Sequence, residues 1–162
     1  MSNHKKAIPI SSPAFGDGGG IPARYTADGR NDSPPLEWGD PPADTRSFAL
    51  ICEDPDAPRG TFTHWLLWNL PADRRHLESA IPPAPTVDSG ARQGTNAFGR
   101  LGYGGPSPPP GPQHRYLFKL YALDTALGLD GRATRDQLLE AMRNHVLGEG
   151  ILTGMYGRKP DG

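Results

Sequence analysis

Three stretches of the chain are densely apolar, and each has its own polarity pattern. Residues 47–53 run apolar from Phe48 through Cys52, the signature of a central strand covered on both faces. Residues 62–70 alternate instead. Phe62, His64, Leu66, Trp68 and Leu70 fall on one face, with Thr63, Trp65, Leu67 and Asn69 on the other. Residues 115–123 repeat this alternation, with His114, Tyr116, Phe118 and Leu120 sharing a face. Large apolar groups on both faces predict inner strands of a layered sheet. Shorter extended pieces are expected at 7–10 and 36–38, and a last strand at 151–158.

One helix is predicted near the end of the chain. Thr134 suits its N-cap, and Gln137 stands three residues on as the capping-box partner. Leu138, Met142 and Val146 recur as a buried stripe, and Gly148 suits the C-terminal stop. His145 at the stripe's edge reads as a helix-end histidine facing the negative end of the dipole. Neither an internal repeat nor a dividing linker is visible, so a single domain over 1–162 is expected.

Composition sharpens the fold class. Gly 21 and Pro 19 supply about a quarter of the 162 residues, with no collagen period. Leu, Ile, Val and Phe reach only about 18%, a value typical of disorder when net charge is high. Here the net charge is -1, so that condition fails. A heavy Gly/Pro load around a few dense apolar runs predicts a mainly β fold with long shaped loops. A chain of this length buries about 70% of its unfolded surface and needs no disulfide or metal staple.

The charge balance argues against a nucleic-acid binder, which carries a basic excess, but leaves room for a small anion pocket. Cys52 is the single cysteine, so no internal disulfide forms; within its apolar run it reads as a small core hydrophobe with an unreactive thiol. Lys5 and Lys6 are followed by no apolar signal region, and no stretch approaches the roughly 20 apolar residues of a membrane span. A cytoplasmic protein is expected. The one clear helix lacks a basic face for a lipid surface.

Candidate chemistry gathers around rigid loops. Asp54-Pro55-Asp56-Ala57-Pro58 closes the central apolar run, and its prolines stiffen a loop where sites are commonly built. His64 interrupts an apolar strand face. His114 does the same just after the Pro/Gly-rich segment 102–111. Two strand histidines, each preceded by a rigid loop, predict a shared pocket with Asp54. Tyr116 lies on the face of His114, whereas Arg115 points the other way. His4 and His76 sit among polar residues and are expected to be solvated.

These residues resemble the phosphatidylethanolamine-binding protein family, also called the Raf kinase inhibitor family. The resemblance rests on Asp54-Pro-Asp-Ala-Pro58, His64-Trp65, Gly105-Pro-x-Pro-Pro109 and His114-Arg-Tyr116. Its bacterial and archaeal branch is matched by Ser12-Pro-Ala-Phe15, Tyr25-Thr-Ala-Asp-Gly29, Ser33-Pro-Pro-Leu-Glu-Trp38, Asn96-x-Phe-Gly99, Leu120-Tyr-Ala-Leu-Asp124 and Gly154-x-Tyr156. The resemblance implies a large antiparallel sheet, a smaller sheet and peripheral helices. It also implies a pocket for phosphate-type anions or phospholipid head groups, lined by Asp54, Ala57, Pro58, His64, Gly105, Pro108, Pro109, His114 and Tyr116. Asp56 is assigned to loop structure, and Ala57-Pro58 is the expected site of a cis peptide. The long C-terminal helix of animal members is expected to have no counterpart after Tyr156.

In such a pocket, protonated His64 and His114 would donate charge-assisted hydrogen bonds to phosphate oxygens, Tyr116 would add a neutral donor, and loop glycines would present backbone N–H groups. Asp54 would fix a histidine or accept from an amine or a protonated phosphate. The expected function is non-catalytic anion binding without a cofactor, and the resemblance implies coupling to a protein partner of the kinase or protease kind. A homodimer is left open. The alternative is a hydrolase using Asp54, His64 and His114 as metal ligands, or one histidine as general base. No Gly-x-Ser-x-Gly elbow and no His-x-x-x-His spacing supports that alternative.

Overall fold

In a computed structural model, which describes residues 5–159, ten strands and one α-helix make three layers. The strands are β1 (Lys6–Ala7), β2 (Ile10–Ser11), β3 (Gly19–Gly20), β4 (Leu36–Trp38), β5 (Ser47–Asp54), β6 (Phe62–Pro71), β7 (His76–Leu77), β8 (Arg92–Gln93), β9 (His114–Leu123) and β10 (Val146–Tyr156), with α1 (Arg135–Met142) before the last. The large sheet runs β1-β10-β9-β5-β6-β8, and β3 also pairs with β10. The small sheet is β2-β4-β7.

The apolar run of β5 does lie at the centre, buried along its whole length between β9 and β6. The pairings among β10, β9, β5, β6 and β8 are antiparallel as expected, but β1 and β3 join β10 in parallel, so the large sheet is mixed. The expected strand at 7–10 is two strands, one in each sheet, because the chain crosses between them at Pro9, whose carbonyl accepts from Gly39 N–H at 3.0 Å.

Each face of β5 feeds its own core. Phe48, Leu50 and Cys52 pack with Leu36, Trp38 and Leu77 between the two sheets. Ala49 and Ile51 pack with Leu66, Trp68, Leu138 and Met142 between the large sheet and α1.

Strict alternation fails along β6, at two places. Cys52 pairs with Trp65 but Glu53 with Thr63, so His64 is an extra residue, a bulge. A second irregularity falls between Leu50↔Leu67 and Phe48↔Leu70. There Asn69 takes a positive φ of 59°, and its side chain bonds both backbone groups of Leu127, accepting from the N–H at 2.7 Å and donating to the carbonyl at 2.9 Å. As a result Leu70 joins Trp65 and Leu67 between the sheets, and Leu66 and Trp68 face α1.

Helix α1 has the expected capping box. Gln137 N–H bonds Thr134 Oγ1, and Thr134 N–H bonds Gln137 Oε1. It ends sooner than predicted. Asn144 adopts a left-handed φ of 68°, and Val146 opens β10 instead of closing the helical stripe. Gly148 accordingly lies in β10, and His145 sits in the connection, where its ring bonds Asp124 at 2.7 Å.

Candidate functional site

The ends of four strands meet at one edge of the large sheet. Asp54 closes β5 opposite Phe62, the first residue of β6, and His114 opens β9 opposite Tyr156 of β10. They surround a cavity of about 190 Å³. Asp54, Ala57, Pro58, His64, Pro108, Pro109, His114 and Tyr116 line it. Three further lining residues, Phe62, Phe98 and Ser107, lie outside the set expected from the sequence. The alternation placing Phe62 beside His64 and the Asn96-x-Phe98-Gly99 segment were the available signals.

The bulge is what brings His64 here. Strict alternation would have sent its ring to the side of Leu66 and Trp68, under α1. The extra residue keeps it on the side of Trp65, against Tyr116, with ring centroids 5.2 Å apart. Its Nδ1–H donates to the Gly104 carbonyl at 2.6 Å, and Gly104 N–H returns a bond to the His64 carbonyl at 2.9 Å. Nε2 is then the acceptor of the neutral ring. Burial pushes the His64 pKa below its ordinary value of 6.5, outweighing the Gly104 carbonyl and the Asp54 charge. The expected imidazolium is therefore disfavoured at this position.

Near pH 6.5 the unfolded chain takes up a proton on His64 that the folded chain resists. Stability from His64 is fully present above about pH 6.5 and declines as pH falls toward the depressed folded value. Thermal melts from about pH 7 down to about pH 5 are expected to fall more steeply for the unaltered protein than for His64→Gln. Parallel curves would refute this.

His114 is held differently. Its Nδ1–H donates to Asp54 Oδ2 at 2.7 Å, while Asp54 Oδ1 accepts from Asp56 N–H at 2.8 Å. One carboxylate thus anchors both the ring and the rigid loop. Asp56 is structural, as expected. It takes Arg115 N–H, Nε and Nη2 at 2.9, 3.0 and 2.9 Å, and those bonds draw its pKa down to about 2. Tyr116 is 1% exposed, and its hydroxyl has no hydrogen-bond partner among the described residues.

Two expectations fail at the loops. Gly105 does not line the cavity; its N–H donates to Asn31 Oδ1 at 2.8 Å, and a Cβ there would lie 2.6 Å from the Tyr25 carbonyl. With Gly104 N–H also engaged, neither glycine offers a donor to a ligand. The Ala57-Pro58 bond is trans, since no cis peptide occurs among the described residues; the turn closes instead through Gly60 N–H to the Ala57 carbonyl at 3.1 Å. Arg158 ties the Pro-rich loop down, reaching the Pro108 carbonyl at 3.1 Å while its fork holds Asp28 at 2.7 and 3.0 Å.

Among the described residues no three His, Cys, Asp or Glu side chains are arranged to hold a metal ion. Cys52 lies in the core, where burial pushes its thiol pKa well up. Ellman-type labelling of the folded protein is expected to be negligible until denaturant is added; fast labelling without it would contradict the burial. His76 is exposed on β7, and His4 lies outside the described residues. No helix among the described residues is long and apolar enough to cross a membrane.

Comparison with known proteins agrees with this architecture. The family model for phosphatidylethanolamine-binding protein matches residues 11–157. A UPF0098 protein of Methanothermobacter thermautotrophicus is 52% identical over 149 residues, 92% of this chain and 98% of that protein. Another from Aquifex aeolicus is 46% identical, covering 93% of this chain and 89% of the relative. The crystal structure of a phosphatidylethanolamine-binding protein homologue, CT736 of Chlamydia trachomatis, superposes with a TM-score of 0.86 at 37% identity, covering 96% of this chain and 100% of that one. That of E. coli YbcL, described as a member of the mammalian family, gives 0.88 at 30% identity, covering 94% and 99%. The chain belongs to the phosphatidylethanolamine-binding protein family.

Proposed function

We propose that the protein is a non-catalytic binding protein whose cavity takes the phosphate of a phosphomonoester. The observation that carries this reading is the buried Tyr116 hydroxyl, left without a partner among the described residues and beside two histidines. An orphaned buried donor costs about 1–3 kcal/mol, which an oxygen-rich ligand would recover. The monoprotonated phosphate suits the three groups best. Its O–H donates to neutral His64 Nε2, one oxygen accepts from Tyr116, and another from Nε2–H of protonated His114.

Turnover is not part of the reading, because the only thiol is sealed in the core and Asp54 is already spent on His114 and the loop. A modulator of a kinase or protease, soluble in the cytoplasm, is the functional setting that the family suggests for such a pocket.

Calorimetric titration with inorganic phosphate and phosphoethanolamine tests it. Binding of phosphoethanolamine is expected to be strong near pH 6, where a phosphomonoester holds its second proton about half the time. It should weaken as pH rises through 7 and the phosphate becomes a dianion facing an acceptor nitrogen. Failure to bind either probe across this range would defeat the proposal, and so would release of phosphate from phosphoethanolamine during the titration.

A further inference from the structure

A second concavity of about 480 Å³ opens beside the histidine cavity, and Phe98 and Ser107 line both. Phe98 forms the dividing rim. Its ring packs on Phe62 and His64, at centroid distances of 4.8 and 5.5 Å, and over Gly104, where a Cβ would come within 2.6 Å of it. Despite these contacts the ring is 37% exposed, one of two large apolar side chains so exposed among the described residues.

The charges of the groove do not balance. Asp32, its only lining carboxylate, is already engaged by Arg24 at 3.2 Å and Arg30 at 3.9 Å. Arg100 lines the same groove with its guanidinium 5.9 Å from the Phe98 ring centroid, and it forms no ion pair among the described residues. An unpaired guanidinium held over an aromatic face is a planar fork suited to a carboxylate or similar oxyanion.

We propose that this groove is the second half of the ligand site, and that Arg100 selects organic phosphates carrying a second anionic group, with a carboxylate the simplest case. This rests on the phosphate reading of the histidine cavity. The phosphate occupies the cavity, the organic part crosses the Phe98 rim, and the second anion meets Arg100. A bare inorganic phosphate uses only the first half.

Phosphoethanolamine and O-phosphoserine differ by one carboxylate, so the pair isolates Arg100. In calorimetric titration the unaltered protein is expected to bind phosphoserine about fivefold more tightly than phosphoethanolamine, the gain of a partly exposed charge-assisted pair. Arg100→Gln is expected to bring the ratio of the two affinities close to one, and Arg100→Lys to restore part of it. Salt should compress the ratio further, since the groove is open to solvent. Equal affinity for the two probes in the unaltered protein would overturn the inference while leaving the phosphate site intact. So would a ratio that survives Arg100→Gln. If no phosphate-bearing probe binds at all, the underlying reading fails first and this one with it.

Discussion

Replacing His114 by Ala is expected to lower the affinity for phosphoethanolamine at least tenfold. Asp54 Oδ2 holds the His114 Nδ1–H at 2.7 Å and leaves Nε2 for the ligand, whereas burial disfavours a charge on His64. A hydrogen bond to a charged group contributes about 1.5–3 kcal/mol, and every 1.4 kcal/mol is tenfold in the dissociation constant. The substitution also strips Asp54 Oδ2 of its partner at 2.7 Å, leaving a buried carboxylate facing the incoming anion. That repulsion adds to the loss, so the effect should exceed that of Tyr116→Phe, which removes a neutral donor.

His76→Ala, on the exposed small-sheet strand β7, serves as the control and should leave binding unchanged. Asp54→Asn separates the two parts of the argument. It keeps a polar group beside His114 and removes the negative charge, so phosphate affinity should fall less than in His114→Ala. Equal binding by His114→Ala and the unaltered protein would mean the cavity is not the anion site.

What was legible in the sequence, and what was not, has a physical basis. The three core strands are plain because large apolar side chains fill their buried faces, and an apolar run such as Phe48 to Cys52 is stable only where both faces are covered. Tyr116 and Arg115 separate as period two predicts because β9 keeps regular pairing with β10 there. His64 behaves otherwise. Simple alternation assigns it to the face of Leu66 and Trp68, yet its ring meets Tyr116 on the inter-sheet side. A bulge is a property of two paired strands, so nothing within 62–70 alone marks the extra residue.

Asn69 and Asn144 carry a visible hint, since asparagine tolerates positive φ, and each sits where a predicted pattern breaks down. Val146 departs from its pattern differently. The helical spacing continues past the helix, but the chain has already turned into β10, where Val146 still packs against the α1 side of the core. Gly105 belongs to the family motif without touching the cavity. Its missing Cβ permits close approach to Tyr25 and Asn31, which fixes the Pro-rich loop from behind.

Trp65→Ala is expected to cost more stability than any other single truncation near the site, about 3–5 kcal/mol for the lost packing alone. Trp65 is fully buried, pairs with Cys52 directly beside the His64 bulge, and packs edge-on to Tyr103 at 5.5 Å. Its Nε1–H donates to Gln93 Oε1 at 2.7 Å, and Gln93 in turn donates to the Pro82 and Ala84 carbonyls at 2.7 and 2.9 Å. The tryptophan therefore joins the strand that carries His64 to the proline-rich segment beside the groove. With a typical total of about 5–15 kcal/mol, the alanine variant should be only marginally folded.

Trp65→Phe keeps the fold measurable and isolates the polar part, because it leaves Gln93 Oε1 buried and unpaired at a further cost of about 1–3 kcal/mol. Trp68→Phe is the matched comparison. It is equally buried, but its Nε1–H reaches the Leu129 carbonyl only at 3.4 Å, so little hydrogen bonding is lost. Urea titrations should place the midpoint of Trp65→Phe clearly below that of Trp68→Phe at an unchanged slope. Coincident midpoints would assign the stabilisation to packing and remove the Gln93 network from the account.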